Sequence, residues 1–476
     1  MGKTIIAEDL MQSYINGLLT SQQNSDAIGL VVGQSTSQKD YAVYLVPTPP
    51  EEGEEEPEEE SEEDKEEPTQ SILKLDDVSE HWVAEHARQV TRMLPGGLSI
   101  TGIYAYASGD VMKNAQAKLR QVLFATYKAI RKHDVFAKRK GKDVESLDWT
   151  VLQIDATTRK LTCRVTDVAD PKSTARPADW KYQSFVNKWP YLECRVHVDI
   201  TVPLKNQAQD CSQYSKQLST TLTPFVDIIY NSIAVINGEL KNVDDALEAQ
   251  QSKRKQGKKG GGGGGSGDSS SYSVELLAQN PLSSNDKVTI SKCSACSHVH
   301  GAIHSRAYVH NKATVKEAIH AVKADVVRSL QSRFELLSED LRQSSSEKEV
   351  KELEIAPPTL IATPRRLFTK LPGTHISICD YVFKDETAQD SLDRLQELFS
   401  LKLVEEDLEF GAEHLPDDSE LEAAERSCES QASEDSASEI VEENTKGKKS
   451  HVVGAAVGIA GAVVAAALSY LAMNQE

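Results

Sequence analysis

Cysteine is scarce in this chain, and what there is does not pair. Seven cysteines in 476 residues (Cys163, Cys194, Cys211, Cys293, Cys296, Cys379 and Cys428) are odd in number and scattered. That argues against a disulfide scaffold and fits a reducing compartment. The opening stretch MGKTIIAEDL has no apolar core of the signal-peptide kind. Ile6 stands where a myristoylation motif wants Ser or Thr. The glycine run 260–265 lacks the Lys-Ser/Thr of a phosphate-binding loop. A basic surface is also missing. The net charge of −20 comes from two acidic runs, Glu51–Glu67 at −12 and Glu405–Glu443 at −15. Without them the chain is near neutral once the basic runs Lys253–Lys259 and Lys446–Lys449 are set aside. The acidity is solvation of segments that cannot bury a core, and no nucleic-acid partner is expected.

Long apolar runs are absent until the end, where one appears. Val452–Met473 contains no charged residue over 22 positions, about 33 Å as a helix and enough to cross a hydrocarbon core. Lys446, Lys448 and Lys449 precede it, and the positive-inside bias then puts residues 1–449 in the cytosol. The expectation is a tail anchor, a single transmembrane helix in contact with bilayer lipid. Gly454 and Gly458 form a GxxxG step that Ala462 and Ala466 continue. Such a stripe suits close helix packing, although a tail simply rich in Gly and Ala reads the same way.

The rest divides by composition into an α+β / α/β chain with two folded parts. Residues 1–250 form the first, interrupted by an acidic insertion at 48–70. A Gly/Lys-rich linker covers 251–272, a second and smaller α+β domain 273–410, and an acidic stalk 411–450 before the membrane segment 452–473. In the first part, AIGLVVGQ and DYAVYLVPTP read as a strand pair and LSITGIYAYA as a strand before a helix over 110–132. YLECRVHVDITVPL alternates as a long strand, and a helix is expected over 222–240. In the second part, Thr314 with Glu317 makes a capping box. The helix that follows carries the stripe Val315, Ile319, Val322, Val326, Leu330, Phe334 and Leu337.

Candidate chemistry is thin. Cys293, Cys296, His298 and His300 could ligate a metal. In an extended segment the two histidines point one way together, and surface-strand histidines are the plainer reading. Cys379 could be a nucleophile, but no His or Asn signature stands near to activate it, so a buried structural thiol is favoured. The order of helix, Gly-punctuated strand, long excursion, strand and helix resembles the MPN (JAMM) fold of ubiquitin-like-modifier proteases. Active members need a Glu base, two imidazoles, a Ser and an Asp around zinc. The matching positions here are Asp26, Ala105, Ala107, Ala115 and Lys118. Alanine offers no lone pair and lysine repels the ion, so the resemblance implies an MPN-like domain without metal or other cofactor. The strand Leu98–Ala107 and helix Asp110–Arg131 around that place are then expected to serve as a surface for a partner.

Several further stretches, GQSTSQKDY, RMLPGG, SRAYVH, TVKEAIHAVKAD and PRRLF…LPG…ICDY, run in order over residues 1–410. Together they resemble the odorant-response-abnormal protein 4 family of tail-anchored membrane proteins. The resemblance implies a non-enzymatic protein of the endoplasmic reticulum that helps G-protein-coupled receptors, including odorant receptors, reach the surface. It also implies a partner, the cysteine protease specific for the ubiquitin-fold modifier, paired through MPN-like domains. It carries no catalytic residues. The competing expectation is a membrane-bound hydrolase of a ubiquitin-like modifier, using a metal or Cys379.

Overall fold

The computed structural model describes residues 3–20, 26–36, 39–51, 74–133, 147–204, 211–248, 270–278, 295–347, 359–361 and 363–413. The expected anchor, stalk, acidic insertion and Gly-rich linker lie almost wholly outside them. Among the described residues no helix is long and apolar enough to cross a membrane. All of them fall in one compact unit, Met1–Glu425, of mixed α/β construction.

Seven strands form a closed barrel: β1 (Lys3–Ala7), β2 (Ala27–Ser35), β3 (Asp40–Pro47), β4 (Ser99–Ala107), β5 (Asp148–Asp155), β6 (Leu161–Asp167) and β7 (Arg176–Tyr182). The spatial order is β1-β3-β2-β4-β5-β6-β7, and β7 closes the ring by pairing parallel with β1. Because successive side chains alternate faces, each strand feeds two cores. Val31, Tyr104, Leu152 and Val165 gather in one, together with Met11 and Ile15 of α1 (Asp9–Thr20). Leu30, Ile103, Ala105 and Val151 join the other, with residues of α2 (Glu80–Met93) and α4 (Gln116–His133). A short α3 (Gly109–Asn114) leads into α4, so the helix expected over 110–132 is present but breaks at Ala115.

Two glycines allow the barrel to close tightly. A Cβ at Gly102 would lie 2.0 Å from the Thr150 carbonyl oxygen. One at Gly29 would lie 2.5 Å from the Tyr104 ring.

The second sheet crosses the expected domain boundary. Its order is β12-β11-β8-β10-β9, with β8 (Tyr191–Leu204), β9 (Ile233–Ile236), β10 (Ser271–Leu277), β11 (Ala295–Tyr308) and β12 (Thr359–Ile361). β8 lies within the first part expected to end at 250, yet it pairs along its whole length with β11. The linker does not separate two sheets either. It connects β9 and β10, which are antiparallel neighbours with Ile236 opposite Val274. The expected helix over 222–240 is also corrected. α5 (Cys211–Asn231) stops early and β9 follows, because the β-branched run Ile233–Ile236 leads into an Asn-Gly turn with Asn237 at φ 51° and Gly238 at φ 75°.

α5 and the long α6 (Val315–Glu347) cover one face of this sheet through Val226, Val326, Leu330 and Phe334. The expected stripe of α6 is buried apart from the half-buried Ile319. Its capping box is present, with the Thr314 N–H donating to Glu317 and the Glu317 N–H donating to Thr314 Oγ1. A third layer of β13 (Arg365–Lys370), β14 (Ser377–Val382) and β15 (Leu408–Glu409), with α7 (Ala388–Phe399), completes the unit.

Gly102→Ala forces the β4–β5 pair apart and should destabilise the Met1–Glu425 unit by roughly 1–3 kcal/mol. Urea unfolding measures it, and an unchanged midpoint would show that the approach at Thr150 is not tight.

Candidate functional site: the buried alanines and a buried charged joint

The positions matched to a metal site do come together. Ala105 and Ala107 sit on β4 beside Gln153 and Asp155 of β5, and Ala115 is the break between α3 and α4. Asp26 immediately precedes β2, whose Ala27 pairs with Tyr106. The three alanines are at most 1% exposed and belong to the core under α2 and α4. Gln153 Nε2 donates to Gln116 Oε1 at 3.0 Å beside them. The two charged positions have structural partners: Asp26 accepts the Leu75 N–H at 3.0 Å, and Lys118 donates to Glu80 on α2 at 3.3 Å. The expectation of an exposed partner surface at the alanines therefore fails. Small apolar residues there let helices settle onto the strand, and the place is filled from within.

Cys379 is fully buried on β14, its Sγ 3.4 Å from the Met93 carbonyl oxygen. Burial pushes the thiol up and so favours its protonated form. Cys296, His298 and His300 take alternate positions on β11, while Cys293 and the side chains of these three lie outside the described residues. Among the described residues no group of three His, Cys, Asp or Glu is placed to hold a metal ion. Gly454, Gly458 and Ala462 also lie outside them.

What the sequence motifs build instead is a buried joint centred on Asp325 of α6. Its carboxylate receives both arms of Arg366 on β13 at 2.7 and 2.9 Å, and both side chains are fully buried. The Arg306 N–H of β11 donates to it at 3.2 Å and Arg328 at 3.4 Å. Arg328 also reaches the Pro95 carbonyl at 2.7 Å, in the turn that ends α2. That turn adds itself to β11, with the Gly96 N–H donating to the Arg306 carbonyl and the Tyr308 N–H donating to that of Gly96. Gly97 sits at φ 81° against the Tyr308 carbonyl, where a side chain would clash.

A second carboxylate repeats the pattern. Glu413 receives Arg333 at 2.6 and 2.7 Å and the N–H groups of His304 and Arg366 at 2.7 Å each. From the barrel side, Gln34 bridges Gly97 and His310, and Tyr41 stacks on His310 at 5.7 Å. Residues of GQSTSQKDY, RMLPGG, SRAYVH, the end of TVKEAIHAVKAD, PRRLF and ICDY all meet here. Burial works against the Asp325 charge, but Arg366 and Arg328 outweigh it and hold the carboxyl below its ordinary range. The contribution is present above the unfolded value of about 3.9 and is lost as pH falls. Such a site, enclosed and with both carboxylates paired to guanidinium groups, holds elements in register.

The description "Odorant response abnormal 4-like" matches residues 29–410. A human protein, "Protein odr-4 homolog" from Homo sapiens, is 34% identical over 87% of this chain and 86% of its own length. The chain belongs to the odorant response abnormal 4-like family. "Odorant response abnormal protein 4" from Caenorhabditis elegans is 23% identical to this family member, covering 75% of the chain and 70% of the worm protein. Among solved structures the fold is similar to UfSP from C. elegans, at 8% identity and a TM-score of 0.40, covering 84% of this chain and 57% of that one.

Two outcomes follow for this family member. Arg366→Met leaves the Asp325 carboxylate without its main buried partner and should cost about 3–5 kcal/mol in chemical denaturation. Adding Asp325→Leu should recover part of that loss, and a harmless single variant would remove the joint from its central place. Ala105→His with Ala107→His should lower the melting temperature through overpacking of a closed core and yield no zinc-dependent cleavage of the ubiquitin-fold modifier. A stable double variant that cleaves would show that the metal position was merely emptied, not filled.

Proposed function

We propose that this chain is a non-enzymatic adaptor of the endoplasmic-reticulum membrane. Val452–Met473 anchors it, residues 1–449 face the cytosol, and its MPN-like first part recruits the cysteine protease specific for the ubiquitin-fold modifier. In this role it supports delivery of G-protein-coupled receptors, odorant receptors among them, to the surface. The observation that carries the reading is the pair of buried alanines, Ala105 and Ala107, where a metalloprotease of this fold needs imidazoles. It stands in a chain whose relatives bear the odorant-response name. Tethering a soluble protease to a membrane raises its local concentration there without adding an active site. The competing hydrolase reading loses its nucleophile to the burial of Cys379.

The test is removal of residues 452–476 in cells. The protease should leave the membrane fraction together with the truncated chain and still co-precipitate with it. A protease that stays on membranes after the chain is lost rejects the adaptor role. Cleavage of the modifier by the purified full chain alone rejects the non-enzymatic one.

A further inference from the structure

The second acidic run begins inside the folded unit, and its first residue helps to line a groove. α7 starts at a capping box, in which Thr387 and Asp390 each take the other's backbone N–H. It ends at Ser400, whose left-handed conformation (φ 55°) turns the chain back. The returning segment lies against the helix as far as a 3₁₀ turn at Glu405–Asp407. Between segment and helix is a cleft of about 550 Å³. Ala388 and Leu392 of α7 line it together with Leu403 and Val404 of the segment. The first three are half-buried and rest on the core that α2 and α4 cover. Val404 is 57% exposed. A lone exposed valine means little, but this one continues an apolar floor in a concave place.

Charge around the cleft has one dominant sign. Its two charged lining residues, Asp393 and Glu405, are both acidic and both exposed. Between 388 and 407 the chain holds six carboxylates against Arg394 and Lys402. Arg394 is turned to Asp380 and Glu386, so of the two only Lys402 is left to offset them. Asp390 is occupied by the capping box and Asp407 accepts the Val404 N–H at 3.1 Å. Asp393 receives only the neutral Gln389 amide, at 2.7 Å. Such a rim repels anionic lipid and nucleic acid and favours a cationic partner. The floor, in turn, wants apolar side chains to cover it. From Ala388 to Gln396 the lining of α7 spans about 12 Å, room for roughly four residues of extended chain.

We infer that this groove docks a short peptide segment of another protein, in which Lys or Arg alternates with apolar residues. Alternation lays the apolar side chains on the floor and sends the cations toward Asp393 and Glu405. The docking does not depend on the adaptor reading. The test titrates the detergent-solubilised full chain into a fluorescently labelled KLKLK peptide and reads anisotropy, with detergent alone as the baseline. A Kd of roughly 1–100 µM is expected, because four residues in contact fall far below a standard interface. A KSKSK peptide has the same charge and should bind at least about tenfold more weakly. Val404→Asp separates the groove from bulk charge: it adds a carboxylate, yet it should weaken KLKLK binding about fivefold. Asp393→Lys with Glu405→Lys should weaken it about tenfold or more. Exchanging Glu51–Glu67 for Gly and Ser should leave the Kd unchanged. Circular dichroism checks that each variant is folded, and the KSKSK comparison needs no variant at all. Absence of KLKLK binding by the parent chain overturns the assignment, as does equal binding of KSKSK. Tighter binding by the Val404→Asp chain overturns it as well. Binding that appears only after Lys446, Lys448 and Lys449 are replaced by Ala gives the groove to the chain's own tail, and the assignment to a partner falls.

Discussion

The fully buried pair of Asp325 and Arg366 is the contact on which the other elements of this protein are hung. A charge on α6 must be met where it stands, and meeting it fixes β13 at one place on that helix. The backbone of β11 and the turn after α2 are drawn to the same carboxylate, directly or through Arg328. Replacing such a pair by apolar residues often costs little in total stability, because removing two ions from water is itself expensive. Its value is in specificity: a shift of any of the four elements by one residue would strand a charge. Glu413 performs the same duty at the end of the described chain, binding β11, β13 and α6 together.

Much of the barrel could be read from the sequence, because β2, β3, β4 and β5 are apolar on two faces and stop at clear turns. β1 and β7 could not. Their partners are each other and strands far away in the chain, and β7, Arg176–Tyr182, carries mostly polar, exposed residues. Local pattern has no access to that pairing. The helix expected over 222–240 is present only as far as Asn231, for a different reason: Ile233–Ile236 can be apolar in either state, and the Asn-Gly step after it decides for a strand. At the candidate site, residue identity put Ala105 and Ala107 where the MPN resemblance wants imidazoles. It could not show that the gap was closed, since burial of Ala105 depends on where α2 and α4 come to rest. The Asp325–Arg366 pair had a faint signal, a carboxylate and a guanidinium each set beside strongly apolar neighbours, and the motifs around it served for resemblance before they had a structural meaning.

This member of a family named for an odorant response has a closed barrel in which Ala105, Ala107 and Ala115 are taken up by packing. That packing is consistent with the adaptor role proposed above. A scaffold relieved of catalysis can spend small residues on tight helix docking, and its polar residues on joining layers. The motif stretches then mark the joints of the scaffold, and surfaces for other molecules are to be sought on faces the joint leaves open.

The long connection between β9 and β10 has a consequence for how this molecule could be cut or extended. Its two ends are held side by side: the Asn237 N–H donates to the Ser273 carbonyl at 2.8 Å, and the Ser273 N–H donates to the Asn237 side chain at 2.8 Å. The entropy of closing a connection grows only with the logarithm of its length, so adding residues there should cost little stability. A backbone break within 249–269 would leave two fragments clasped along the fourteen residue pairs of β8 and β11. The same place would accept new termini or a guest domain, making the protein a natural split pair with its halves already interlocked.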